Sequence, residues 1–197
     1  DNSDMCISGR DDRKILMIYL ASGSPTRAQI LKEGGVEFIQ IPFDFDESGI
    51  SKQDARSYSY RVALSKKAQF FKIYENYDRV LFADSSVVAG DQILGKARDE
   101  ADALRMLELQ SGAVSSVYTA MIFVSKNLQL AALSVASYKF DKFSEADLRE
   151  YIASGDWRGK AGAMSIEGFN EKYILSSRGS KFTAMGLDLE ILKRFIW

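Results

Sequence analysis

Residues 15–35 read ILMIYLASGSPTRAQILKEGG, which orders an apolar run, a turn and a helical stretch. The run ILMIYLA predicts a short buried strand. Ser22-Gly23-Ser24-Pro25 indicates a turn into a helix, and Gly34-Gly35 ends that helix. A strand that leads through a turn into a helix N-terminus is typical of α/β folds, and its geometry suits phosphate binding.

The rest of the chain continues this alternation of strands and helices. Further strands are predicted at residues 36–41 and 79–90, and a hairpin at residues 113–140. A long helix is expected from about Gln53 to Tyr77. Shorter helices are predicted within residues 99–112, 144–155 and 189–197. We therefore expect an α/β fold with a mixed twisted sheet, flanking helices and two lobes around a cleft.

Composition favours one globular domain. Of 197 residues, 46% are hydrophobic and 27% are charged, with 26 basic against 27 acidic residues. A chain of this length buries about 70% of its unfolded surface. We expect residues 17–197 to form this domain, preceded at residues 1–16 by a disordered leader or an artificial extension. The balanced charge argues against a nucleic-acid partner, and the lack of a long apolar run argues against a membrane span.

Histidine is absent from the sequence, and this excludes several classes of active site. Ser-His-Asp and Cys-His triads, His-ligated zinc and imidazole general bases cannot form. If the protein is an enzyme, carboxylates and lysines must transfer protons and stabilise charge. The single Cys6 cannot form an internal disulfide, which favours a cytoplasmic location.

The turn at residues 22–27 is the first candidate for chemistry. Free backbone N–H groups at the helix start, the hydroxyls of Ser22 and Ser24, and the guanidinium of Arg27 can together coordinate phosphate oxygens. Taken alone, the segment is more simply explained by Ser24 as a helix N-cap with Pro25 in the first turn.

Acidic residues supply two more candidates. Asp44, Asp46 and Glu47 lie in the loop before the long helix, and clustered carboxylates suit a hard cation such as Mg²⁺. A solvated acidic loop explains them equally well. Asp84 directly follows the apolar residues 80–83, so we expect it at the carboxyl end of a strand, where open α/β sheets place ligands. An acid there is costly without a partner, which favours a functional role for Asp84.

Lysines are the fourth candidate group, and helical geometry separates two of them. Lys67 lies about 50° from the centre of the apolar face of the long helix, whereas Lys66 lies about 150° away. We therefore expect Lys67 to reach the cleft and Lys66 to be solvated. Lys96 and Lys160 each follow a glycine closely and fit either a phosphate contact or the surface. The apolar face of the long helix comprises Tyr60, Leu64, Ala68, Phe71 and Tyr74.

Six segments, in this order, resemble the Maf family, also called septum-formation inhibitor proteins. LASGSPTRAQIL resembles the family's LASxSPRRxxLL, DFDE its acidic pair, and SKKA its LAxxKA, which favours Lys67. ADSSVV resembles ADTVV, ILGKARDEADALRML resembles ILGKPxxxxxAxxML, and KAGAMSIEG resembles KAGAYxIQG. The segments cover residues 20–31, 44–47, 65–68, 83–88, 93–107 and 160–168. The resemblance extends over nearly the whole chain from about Ile18.

The resemblance implies a fold similar to that of inosine triphosphate pyrophosphatases, often as a homodimer. It implies hydrolysis of a nucleoside triphosphate to the monophosphate and pyrophosphate with a divalent cation, Mg²⁺ or Mn²⁺, and a house-cleaning or division-arrest role. Asp84 would be the proton acceptor and, with Glu47, a metal ligand. The implied phosphate and substrate contacts are Ser22, Ser24, Arg27, Lys67, Lys96 and Glu167. The alternatives are a non-catalytic nucleotide-binding regulator of cell division and a phosphatase that removes terminal phosphates.

The chain departs from the family pattern at positions that bear on base choice. The branch that prefers pyrimidine triphosphates tends to have Arg and Gln where this chain has Thr26 and Glu167. Glutamate resembles the branch acting on 7-methylguanosine triphosphate, and a carboxylate suits the donor edge of a guanine. We therefore expect a preference away from dTTP and UTP. The other departures are Ser85 for Thr, Ala97 for Pro and Asp188 for Pro.

Overall fold

A computed structural model describes residues 17–196, in which seven strands form one mixed sheet. The leader predicted at residues 1–16 lies outside the described residues. The strand order is β2-β1-β3-β5-β6-β7, with β4 paired to β3. The strands are β1 (Ile18–Leu20), β2 (Phe38–Gln40), β3 (Val80–Ala89), β4 (Gln92–Leu94), β5 (Val114–Val124), β6 (Gln129–Phe140) and β7 (Ile174–Arg178).

Helices connect and cover this sheet. β1 runs parallel to both β2 and β3, and parallel neighbours need crossover connections, which the first two helices provide. β3, β5, β6 and β7 pair in antiparallel order, and a short turn joins β5 to β6. The helices are α1 (Pro25–Glu33), α2 (Ala55–Ile73), α3 (Glu100–Gln110), α4 (Glu145–Ser154), α5 (Lys181–Met185) and α6 (Leu189–Ile196). The expected α/β fold with a mixed sheet is confirmed.

Local signals in the sequence set most helix ends. Ser24 caps α1 by accepting the N–H of Arg27 at 3.3 Å, and Ser144 caps α4 in the same way. Gly155 ends α4 with φ 75°, a left-handed conformation that glycine adopts without steric cost. Asp188 caps the N-terminal end of α6, where its Oδ1 accepts the N–H of Ile191 at 3.0 Å. The five-residue α5 was not predicted, because it is too short to show a helical period.

The hydrophobic core lies on both faces and at one end of the sheet. Leu81 packs with α1 and α6 on one face, and Phe82 packs with α2 on the other, since successive strand residues point to opposite sides. A third cluster gathers around Trp157 at the far end, where α3 and α4 pack. β3 and β6 contribute to the core at both ends of the sheet, so these strands join the two lobes.

The strand predicted at residues 79–90 is confirmed as β3, but the position of Asp84 within it differs from expectation. The apolar run stops at Asp84, but β3 continues to Ala89, because Asp84 pairs with Ala120 and Ser85 with Thr119 in the ladder with β5. Ladder hydrogen bonds come from the backbone, so polar side chains do not end the strand. β1 ends at Leu20, level with Leu81, so Asp84 still lies beyond the carboxyl end of the parallel strands.

Candidate functional site

An ion pair between Lys66 and Asp84 forms the centre of the candidate site. The Nζ of Lys66 lies 2.7 Å from the Oδ1 of Asp84, and the two side chains are 17% and 15% exposed. The same Nζ donates to the carbonyl of Ala83 at 3.4 Å and lies 5.2 Å from the ring centroid of Phe45. A partly buried charge of this kind is costly without its partner. The carboxylate keeps some access to solvent, so a water molecule can reach it.

The expectation that Lys66 faces solvent is wrong, and Lys67 lies elsewhere. The Nζ of Lys67 donates to the Oε1 of Gln129 at 3.2 Å, so the structure does not bring Lys67 to Asp84. The predicted apolar face of helix α2 packs on the core only in part, since Tyr60, Leu64 and Phe71 are partly buried. Phe70 lies deeper, against Phe82 at 5.3 Å between ring centroids. The buried residues of α2 are Ala55, Tyr58, Ser59, Val62, Ala63 and Phe70. Lys66 lies one turn from both Val62 and Phe70 and therefore shares their face.

The side chain of Arg27 links the loop that follows β1 to other parts of the fold by hydrogen bonds. Its Nε donates to the carbonyl of Gly186 at 2.9 Å, its Nη1 to the Oγ of Ser22 at 3.3 Å, and its Nη2 to the Oγ of Ser85 at 3.4 Å. Burial lowers the pKa of Arg27, and the negative charge of Asp84 opposes that shift. The guanidinium thus joins the loop after β1, strand β3 and the end of α5.

Asp84 and Ser85 point to opposite faces of β3. Asp84 faces α2 and Lys66, whereas Ser85 faces α1 and contacts the Oγ1 of Thr119 at 2.8 Å. Thr119 in turn donates to the carbonyl of Thr183 at 2.7 Å. The site therefore has a lysine–carboxylate part on one face of the sheet and an arginine–hydroxyl part on the other. The two parts meet past the end of β1, where Arg27 is close enough to Asp84 for their charges to interact.

The acidic loop lies beside the ion pair and is held by α2. The Nε2 of Gln69 donates to the carbonyl of Asp46 at 2.7 Å, and its Oε1 accepts the N–H of Asp46 at 3.1 Å. Burial raises the pKa of Tyr58, and the charges of Glu47 and Asp84 raise it further. Residues 17–196 hold no preformed group of three metal ligands. Two carboxylates completed by substrate phosphates remain a normal Mg²⁺ arrangement.

A cleft of about 480 Å³ opens on the arginine side of β3. The residues that line it include Thr26, Arg27, Ser85, Glu167 and Lys181. Lys181 donates to the carboxylate of Glu167, and this hydrogen bond raises the pKa of Lys181. The volume is in the range of small-molecule sites. Lys181 belongs to no motif recognised in the sequence, and no local signal marked it.

The two remaining lysines lie near this cleft in different settings. Lys160 is half-buried and lines the cleft. Lys96 is exposed, and its backbone forms an isolated antiparallel bridge with Ala161. The bridge brings the segment around Lys96 next to the cleft wall. Among the predicted site residues, Arg27 contacts Ser22 and interacts with the charge of Asp84. Glu47 lies in the acidic loop, Ser24 caps α1, and Lys67 lies apart.

The family model for Maf-like proteins matches residues 17–196. The chain belongs to the Maf family. A nucleoside triphosphate pyrophosphatase of a Nitratiruptor species is 43% identical to this Maf protein over 178 residues, covering 89% of this chain and 96% of that protein. Another from Campylobacter jejuni is 36% identical over 184 residues, covering 91% of this chain and 100% of that protein.

A relative with a narrower name is similar to this Maf protein too. A dTTP/UTP pyrophosphatase of Alcanivorax borkumensis is 38% identical over 176 residues, covering 89% of this chain and 91% of that protein. The resemblance noted in the sequence motifs is confirmed, but relatives with different substrate names match to similar extents. Membership of the Maf family therefore does not decide the nucleobase. Among residues 17–196, no helix is long and apolar enough to cross a membrane.

Proposed function

We propose that this Maf protein is a nucleoside triphosphate pyrophosphatase, a hydrolase that releases a nucleoside monophosphate and pyrophosphate. The observation that carries the proposal is the Lys66–Asp84 pair, 2.7 Å apart, next to the loop held by Arg27. A carboxylate beside fixed cations is what attack of water on a polyphosphate requires. The names of the relatives support the same reaction.

In the proposed reaction Asp84 orients a water molecule and accepts its proton. The oxygen of that water forms a bond to the α-phosphorus, and the bond from this phosphorus to the bridging oxygen breaks. Lys66 and Arg27 stabilise the negative charge that develops on the phosphates. The hydroxyl of Ser22 and the free N–H groups at the start of α1 bind phosphate oxygens. Lys160 and Lys96 reach the outer phosphates from the opposite lobe.

A divalent cation fits this arrangement. Glu47 is exposed in the acidic loop, Asp84 keeps some access to solvent, and carboxylate oxygens are the donors that Mg²⁺ and Mn²⁺ prefer. Glu47 and Asp84 would hold the ion together with phosphate oxygens. When bound, it would neutralise phosphate charge and polarise the scissile bond.

For the nucleobase, we propose a preference away from dTTP and UTP. Thr26 and Glu167 both line the cleft, at positions where a pyrimidine-preferring relative would have Arg and Gln. The carboxylate of Glu167 keeps acceptor capacity while it is held by Lys181. A panel of dTTP, UTP, GTP and 7-methyl-GTP tests this point, and faster hydrolysis of the pyrimidine nucleotides would contradict it.

We further propose a cytoplasmic location, no nucleic-acid partner and a homodimer. The sole cysteine supports the first, and the net charge of -1 supports the second. Leu133 and Val135 on β6 are 42% and 40% exposed, which leaves apolar surface for a second copy. Light scattering of the purified chain measures the oligomeric state directly.

The deciding experiment is an assay that detects pyrophosphate and orthophosphate separately, with Mg²⁺ or Mn²⁺, for the wild type and Asp84→Asn. We expect pyrophosphate from the wild type and at least a 100-fold loss in the variant, about the contribution of a general base. Release of orthophosphate would indicate a phosphatase instead. Binding without any turnover would indicate a nucleotide-dependent regulator.

A further inference from the structure

Lys181 brings to the cleft a charged group that the proposed reaction does not use. Its ammonium donates to the carboxylate of Glu167, and both residues line the cleft. The two side chains are 60% and 67% exposed, so a ligand in the cleft can reach both groups. An ammonium has three donors and a carboxylate has several acceptor positions, so each keeps capacity for a ligand. An ion pair this exposed adds little to stability, so the fold alone does not account for the lysine.

The backbone that carries Lys181 is held in place at two points of α5. The hydroxyl of Thr119 donates to the carbonyl of Thr183 at 2.7 Å, and the Nε of Arg27 donates to the carbonyl of Gly186 at 2.9 Å. Lys181 precedes Gly186 by five residues, which is about 7.5 Å along a helix axis. The same short helix therefore links Arg27, which we assign to the phosphates, to the lysine–glutamate pair at its other end.

Charge distinguishes the part of the cleft that suits phosphates from the part that suits a base. Arg27 attracts an anion, whereas the carboxylate of Glu167 repels one and its pair with Lys181 has no net charge. Small-molecule sites are mostly apolar, with a few polar groups that orient the ligand. A flat, neutral nucleobase therefore fits beside Glu167 and Lys181 better than a triphosphate does. The apolar lining of the cleft includes Val87, Val117, Met164, Ile166 and Met185.

We propose that Lys181 determines specificity for the nucleobase: its ammonium donates to a carbonyl oxygen of the base, while Glu167 accepts the ring N–H beside that carbonyl. The inference rests on the proposed function, because it identifies the class of base that this cleft takes. An ammonium only donates and a carboxylate only accepts, so the pair matches a C=O next to an N–H. Guanine, hypoxanthine, uracil and thymine present these two groups. Adenine and cytosine present an amino group next to a bare ring nitrogen, so donors would meet donors and acceptors would meet acceptors.

The test compares nucleotides that differ only at this edge of the base: ITP with ATP, and UTP with CTP. We expect kcat/KM to be higher for ITP and for UTP by about 5- to 30-fold, the lower part of the cost of unpaired polar groups, because the cleft is open to solvent. Each comparison stays within one ring size, so it is independent of the proposed preference away from UTP. In Lys181→Met each ratio should fall towards one, because Glu167 alone can accept from a ring N–H or an amino group. The ratios should not change in Lys126→Met, the same substitution in the exposed turn between β5 and β6.

A preference for ATP and CTP, or equal values within both pairs, would overturn the inference. So would an equal loss for all four nucleotides in Lys181→Met, since a lysine bound to phosphate does not distinguish bases. Calorimetry with Asp84→Asn measures the same ratios as dissociation constants, without turnover. If no nucleotide releases pyrophosphate, the proposed function fails, while a preference in binding still supports the role of Lys181. Should Lys181→Met fail to fold, Glu167→Gln serves in its place, because an amide both donates and accepts and the ratios should again fall.

Discussion

Replacing Lys66 by methionine is the sharpest test of the proposed site, because its neighbour Lys67 offers a matched control. Methionine keeps most of the length and apolar volume of the lysine stem but removes the charge. In Lys66→Met, Asp84 loses the ammonium that lies 2.7 Å away. In Lys67→Met, only the contact with Gln129 at 3.2 Å is lost. The two variants have the same composition and differ only in position.

The size of the effect follows from the geometry of the ion pair. A hydrogen bond between charged groups contributes about 1.5–3 kcal/mol. Both side chains are mostly buried, 17% and 15% exposed, so solvent screening reduces this value little. Since about 1.36 kcal/mol corresponds to a factor of ten, kcat/KM should fall about 10- to 150-fold in Lys66→Met. We expect Lys67→Met to stay within about twofold, as for a surface change.

The assay follows pyrophosphate release at saturating and limiting nucleotide, with melting temperatures to confirm folding. Lys66→Arg should restore part of the loss, because the positive charge returns with a different shape. A loss of activity in Lys67→Met with little change in Lys66→Met would refute the assignment. It would show that the lysine favoured by the family pattern acts despite its distance from Asp84.

Three further predictions test separate parts of the structure. Glu47→Gln should raise the Mg²⁺ concentration for half-maximal activity about tenfold, whereas Asp44→Asn in the same loop should not; equal effects would argue against a metal ligand at Glu47. Gly186→Ala should lower the melting temperature by about 2–8 °C, because φ 116° costs a non-glycine residue about 1–2 kcal/mol; an unchanged melting temperature would contradict this. The backbone N–H of Arg98 lowers the pKa of Asp102, so this carboxylate stabilises the fold above its unfolded pKa of about 3.9 and loses that effect at lower pH. Asp102→Asn should therefore be less stable than wild type at pH 7 by thermal melting, with a gap that closes as the pH falls below about 3.9.

The start of α1 and the candidate acid Asp84 could be predicted from residues next to them in the sequence. The side chains of Ser24 and Pro25 favour a helix start at this point, and Ser24 caps α1 as expected. Asp84 stood out because an acid directly after an apolar run needs a partner. The choice of Lys67 over Lys66 for the cleft was wrong, because the side of α2 that is buried is set by its contact with β3.

The arrangement around the cleft was beyond prediction for a related reason. Glu167 was singled out as a bare carboxylate, but Lys181 pairs with it from 14 positions further along the chain. A small apolar pocket near the cleft is lined by Val87, Val117 and Phe140, which belong to β3, β5 and β6 and meet only when the sheet is complete. Periodicity describes one element at a time, so contacts between distant elements remained unpredicted.

The strands shared by the two lobes limit how the molecule can move. All 10 residues of β3 pair in register with β5, and β5 pairs along its length with β6. Two bodies joined by three hydrogen-bonded strands cannot swing about a flexible linker, since bending the sheet would break ladder bonds. We therefore expect the part of the sheet that carries Asp84 and Ser85 to be rigid. Entry and exit of a ligand would then depend on the loops at residues 41–54 and 158–170. Hydrogen–deuterium exchange at the backbone amides of β3 should stay slow whether or not a ligand occupies the cleft.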